Sequence, residues 1–136
     1  MKKILSTSYS DGAFNVGVFV LRATLGLLIA IEHGFSKLTN FNQLQYTFFD
    51  PFHIGHRWSL ILSIFAEVFA ALLLVLGLFS RIAAFILLIN MAVAVFLFHK
   101  DQPIKQFEIA IIYLSGFFFL LLAGPGRFSI DGMMGK

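Results

Sequence analysis

Apolar residues fall into four long blocks along the chain, at 13–33, 59–79, 82–98 and 107–123. A helix needs about 20 mostly apolar residues to cross a hydrocarbon core. The first two blocks reach that length, and the last two are short but clean, so the pattern predicts four membrane helices. Between the second and third, "GLFSR" leaves room only for a tight hairpin. The polar run "HKDQPIKQ" forms the turn before the fourth helix, which Pro125 in "AGPGR" ends. The first connection is longer and aromatic, "FNQLQYTFFDPFHIGHRW" at 41–58. Aromatic side chains favour the membrane interface, Trp and Tyr most of all. This loop is therefore expected on the outer surface, partly covering the mouth of the helices, as an anchor or as a lid over a site.

Composition agrees with a bilayer as the solvent. Only 12% of residues are charged and 59% are hydrophobic, with 18 Phe and a mean hydropathy of +0.89, whereas a soluble domain is about 25% charged. The chain has 136 residues and no internal repeat, which predicts one membrane domain over 1–136. The absence of cysteine excludes disulfides, thiolate metal sites, a CxxC redox pair and Cys-ligated clusters. Redox chemistry would need a bound cofactor or substrate. A net charge of +3 without a basic run gives no sign of nucleic acid as a partner. The "MKK" start is broken by "STSYSDG", and Arg22 lies inside the first block without a small-x-small cleavage site. The first block therefore reads as a retained helix, not a signal peptide.

The Lys/Arg bias orients such a chain. With the N-terminus inside, Lys2, Lys3, Arg81, Arg127 and Lys136 lie on the inner side, and Lys37, Arg57, Lys100 and Lys105 on the outer side. The N-terminal doublet and the Arg in the shortest hairpin favour both termini on the cytoplasmic side.

Glu67 stands near the middle of the second block, where a carboxylate costs roughly 2.5–3.5 kcal/mol on insertion scales. Counted from the inner edge at 1.5 Å per residue, Arg22 lies about 13 Å up its helix, Glu67 about 18 Å and Asn90 about 12 Å. These depths predict an intramembrane polar layer in which Arg22 pairs with Glu67 and Asn90 is the third member. Ser59, Ser63, Ala66 and Ala70 form a small-residue stripe beside Glu67, of the kind that lets membrane helices approach closely. Arg22, Gly26, Ala30, His33 and Lys37 recur on one face of the first helix. Such a pair either marks a functional site or only fixes helix register.

A second polar set, Glu32, His33, His99 and Glu108, lies toward the outer end, with Glu108 sharing a face with Ser115. His–Glu pairs suit proton transfer near neutrality, and a quinone head group needs such donors and a proton route. Haem ligation through His33 and His99, or a transition metal on Glu108 and a His, are the other chemistries. The plain alternative is that polar residues gather where helices meet water. "HIGH" at 53–56 has metal-ligand spacing but is a weak signal alone. No haem-attachment or nucleotide motif occurs, and no dedicated metal site is expected.

The ordered set Arg22, Gly26, His33–Gly34 and Lys37, then Glu67, Gly77 and Arg81, then "GPGR" at 124–127 and Asp131 resembles the DoxX family of small membrane proteins over nearly the whole chain. The longer aromatic loop departs from the family pattern. The resemblance implies an all-α, four-helix membrane bundle in the bacterial cytoplasmic (inner) membrane. It also implies a subunit or accessory of a quinone-linked redox system, an oxidoreductase component not catalytic alone, with a redox or membrane protein as partner. The alternative it implies is a non-catalytic assembly protein whose Arg/Glu pair is structural. Homo-oligomerisation stays open. A pore would require oligomerisation, and no broken helix pair of the transporter kind occurs.

Overall fold

The first helix starts at Ser10, whose extended backbone and side-chain oxygen, accepting from the Ala13 N–H at 3.1 Å, satisfy one of the free donors of the first turn. In this computed structural model, which describes residues 5–98 and 103–135, that helix, α1, runs continuously over Asp11–Thr39. α2 spans His56–Leu76 and α3 Ser80–Phe98; these three are long and apolar enough to cross a membrane. The shorter apolar helix α4, Glu108–Ala123, packs along α3 and touches α1. No strand occurs among the described residues. α1 therefore outruns its apolar block at the far end by more than a turn.

The turns follow from local chemistry. Gly77 ends α2 in the left-handed region, φ 73°, and its N–H reaches Leu74 O at 3.1 Å. Only three residues separate α2 from α3. Gly124, φ 82°, ends α4 just before Pro125. The long first connection contains a short helix, Phe41–Leu44, and a turn organised by Asp50.

The interior is built from small residues and a few large ones. Ala66, Ala70 and Ala71 of α2 and Ala83 and Ala84 of α3 are buried, together with Ile29, Leu74, Leu87, Phe117 and Leu120. A Cβ added to Gly26 would lie 2.9 Å from Ala71 O, and one added to Gly34 would lie 2.7 Å from Glu67 O. Both glycines thus let α1 lie against the backbone of α2. In hydrocarbon, where burial of apolar surface gives no drive between helices, such close approach supplies the packing energy. Phe69, Phe85, Ile89, Ile112, Phe118 and Leu122 face outward, as lipid-facing residues do.

Two features place the polar groups. α1–α3 each contain a widened π turn, at Ile29–Gly34, Phe65–Ala70 and Ala94–Phe98, and the first two pack on each other. The second feature is an overhang. Gly26 lies at the level of Ala71–Val75, so α1 begins about ten residues, or about 15 Å, beyond the end of α2. The C-terminal segment 124–135 covers the overhanging part: Asn15 Oδ1 accepts from Arg127 N–H at 2.9 Å, and Asp131 N–H donates to Gly77 O at 2.8 Å.

Candidate functional site

The overhang separates the two charges that depth counting had paired. Arg22 is fully buried at the end of α2 that carries the hairpin. Its Nη1 donates to Leu74 O and Val75 O, each at 2.8 Å, and its Nη2 donates to Phe128 O. These carbonyls are the free acceptors that a helix C-terminus leaves, and a guanidinium suits them by charge as well as geometry. Asp131 is near enough to act on Arg22 electrostatically. Its carboxylate also accepts from Phe79 N–H at 3.0 Å and Ser80 N–H at 2.8 Å. Asp131 thereby caps α3 from a distant part of the chain. Arg22 and Asp131 together pin the tail over the hairpin.

Glu67 meets Lys37 instead. Lys37 Nζ donates to Glu67 Oε1 in an ion pair and to Ser63 Oγ at 2.9 Å, while Ser63 Oγ donates to Glu67 Oε1 at 2.6 Å. Glu67 is 1% exposed and the Lys37 side chain 25%. Glu67 Oε2 is buried without a hydrogen-bond partner among the described residues. The expected Arg22–Glu67–Asn90 layer is therefore not formed. Asn90 is half-buried and bonds to neither charge. The reason is register: with Gly34 on Glu67, the residue of α1 one turn further on is Lys37, and Arg22 lies three turns back. Lys37 had been placed outside the membrane because the apolar block stops at His33, but α1 continues to Thr39 and the long Lys stem reaches back.

Part of the outer set joins this centre. His33 and Glu32 lie in the π turn of α1, and the His33 ring meets Tyr113 of α4 edge-on, with centroids 5.8 Å apart. Tyr113 is buried within electrostatic reach of both Glu32 and Glu67. One level thus gathers Lys37, Glu67, Ser63, His33, Glu32 and Tyr113; reasoning from sequence missed Tyr113 and the use of Lys37. Glu108 is exposed, and Ser115 on the same face turns its hydroxyl back to Ile112 O. His99 lies outside the described residues. His53 and His56 are exposed, and His56 Nδ1 lies 2.5 Å from Phe48 O. No group of three His, Asp or Glu suited to a metal occurs among the described residues.

The aromatic loop roofs this level. The Phe48 ring lies over Lys37 Nζ, 5.4 Å from its centroid, and Phe49 packs edge-on to Phe98 at 5.1 Å. Asp50 holds the loop by accepting from Ile54 N–H at 3.0 Å, Gly55 N–H at 2.9 Å and Ser59 Oγ at 2.8 Å. Desolvation alone would push the Asp50 carboxyl up; those hydrogen bonds and the nearby His56 outweigh it and hold it below the usual carboxylate value.

Chemically, the centre offers an ammonium donor, a carboxylate oxygen without a donor, a phenol and an imidazole, all against apolar walls. Its groups can both accept and donate hydrogen bonds to a neutral polar group.

The chain is 35% identical over 77 residues to an uncharacterized protein of Haemophilus influenzae, an alignment covering 52% of this chain and 58% of the relative. The match thus spans little more than half of that relative's length. No solved structure matches. The DoxX family profile matches residues 17–100, from the first third of α1 through the whole of α3 and both polar centres apart from the tail. The chain belongs to the DoxX family.

Proposed function

We propose that this membrane protein is a subunit or accessory of a quinone-linked redox system, and that it binds a small hydrophobic molecule between its helices at the Lys37–Glu67 level. The observation that carries the reading is Glu67 Oε2, a buried carboxylate oxygen with no donor among the described residues, beside an ammonium group. A quinone carbonyl would take its hydrogen bond from Lys37, and a quinol hydroxyl would give one to Oε2. His33 stands at the level from which a proton reaches the loop end. The π turns favour the same place, since such turns often occur at functional sites.

The four helices form one bundle in this reading, set in a bacterial inner membrane with both termini in the cytoplasm. Removing Lys37 from the outer count supports that orientation: it is spent on Glu67, which leaves Lys2, Lys3, Arg81, Arg127 and Lys136 against Arg57, Lys100 and Lys105.

The test is a quinone inventory of the protein purified from its native membrane, followed by titration with a short-chain quinone. We expect bound quinone in roughly molar proportion and its loss in His33→Ala, a variant that keeps the ion pair. A protein that is empty and binds no added quinone would reject the reading. An empty protein that retains a constant partner would favour the non-catalytic assembly role, in which the buried charges serve only the fold, as both Nη groups of Arg22 do.

A further inference from the structure

A second site lies at the opposite end of the molecule, under the tail. A cleft of about 380 Å³ opens there, walled by Phe19, Leu76, Phe128 and Met133, with Arg127 among its lining and Arg22 beneath. The walls are apolar yet outward-facing: Leu76 is 53% exposed and Met133 83%. The Arg127 side chain is exposed and has no ion-pair or hydrogen-bond partner among the described residues; only its main-chain N–H is used, by Asn15. Arg22 Nε is buried and lacks an acceptor among the described residues, although both of its Nη groups are engaged. A neighbouring cleft of about 210 Å³ is bordered by Arg81, whose guanidinium lies against Gly124 on the other side of the tail.

Positive charge outweighs negative in this region: Arg22, Arg81 and Arg127 line the two clefts, with Asp131 the carboxylate among their lining. Asp131, which borders the smaller cleft, is committed to the N–H groups of Phe79 and Ser80. Asp11 lies one turn beyond Asn15, at the start of α1, and does not line either cleft. Ser129 Oγ is used within the tail by Gly126 O and Gly132 N–H. An apolar groove with an unneutralised guanidinium at its edge is complementary to an amphiphile with an anionic head.

We propose that this cleft binds an anionic phospholipid, its phosphate on Arg127 and the start of an acyl chain along Phe19, Leu76 and Met133. The membrane supplies the occupant, because Phe19 and Leu76 lie on the apolar helices α1 and α2 and the exposed Phe128 and Met133 of the tail extend the same apolar surface. A guanidinium engages a phosphate through two parallel N–H···O bonds, which an ammonium cannot reproduce. The bound lipid also clamps the tail, whose Phe128 carbonyl holds Arg22.

Native mass spectrometry of the full chain in a neutral detergent tests the proposal, with phosphatidylglycerol or phosphatidylcholine added in equal amount. Phosphatidylglycerol adducts should exceed phosphatidylcholine adducts several-fold. Arg127→Gln should bring the two to the same level, Arg127→Lys should keep an intermediate preference, and Arg57→Gln, at the other end, should change nothing. The unliganded melting temperature of each variant verifies that folding is intact. Equal retention of both lipids by the parent protein, or an undiminished preference in Arg127→Gln, would overturn the proposal. Displacement of the lipid by excess inorganic phosphate would overturn it too, by making the site one for soluble anions.

Discussion

Lys37→Met should destabilise the protein more than Glu67→Gln, and the two together should cost less than their sum. Lys37→Met leaves a 1% exposed carboxylate with a single donor, the Ser63 hydroxyl. Breaking a buried pair in this way costs about 3–5 kcal/mol, and the retained Ser63 bond places the expectation near the lower figure. Glu67→Gln keeps an acceptor for Ser63 and Lys37 and removes only charge. Lys37, being 25% exposed, can then withdraw its ammonium toward the interface, so the loss should be about 1–2 kcal/mol. The double variant leaves no buried charge and should recover about 2 kcal/mol of coupling. Reversible unfolding in mixed micelles, followed by circular dichroism as the denaturing detergent fraction rises, gives the four free energies of the cycle. A coupling below about 0.5 kcal/mol would refute the pairing. A parallel cycle on Arg22→Gln and Glu67→Gln should be additive; strong coupling there would restore the mid-membrane Arg–Glu pair and refute the register.

Other perturbations probe neighbouring parts of the argument. Asp131→Asn should lower stability by about 1–2 kcal/mol in the same assay, because the remote cap of α3 loses its charge and one of its acceptors. Gly34→Ala places a methyl group 2.7 Å from Glu67 O and should cost about 1–3 kcal/mol through forced separation of α1 and α2, whereas Gly17→Ala, with open space around it, should be neutral. Asp50 has a folded-state value below its ordinary one, so the stability it lends the loop is present above about pH 4 and is lost as pH falls through the depressed value. Fluorescence of Trp58, the one tryptophan, should report loop release below that pH in the parent protein and at neutral pH in Asp50→Asn.

The helices were legible because lipid imposes a length and a composition on anything that crosses it. The hairpin was legible because Gly77 to Arg81 allows nothing longer. The pairing of charges was not, because depth counting assumed that helix ends lie flush, and nothing in a hydropathy profile reports that α1 overhangs α2. The glycines carried the missing signal: Gly26 and Gly34 are eight residues apart, as are Val75 and Glu67, and an antiparallel contact that sets Gly26 on Ala71–Val75 and Gly34 on Glu67–Val68 brings Lys37 beside Glu67. Tyr113 gave no sequence signal beyond its own type, since it is one aromatic among many in an apolar block.

The two buried charges on α1 and α2 differ in what they leave undone. Arg22 meets three main-chain carbonyls from two segments, an arrangement that only this fold assembles and that has no reason to change during a reaction. Glu67 is served on one oxygen by side chains, both of which can rotate away, and carries its other oxygen bare. Side-chain partners exchange more easily than main-chain ones, because moving them does not require a helix to unwind. The same helices therefore hold one polar centre fixed by backbone and another free to trade partners. That difference is why the proposed function rests on Glu67, with Arg22 holding the register on which the Lys37–Glu67 pair depends.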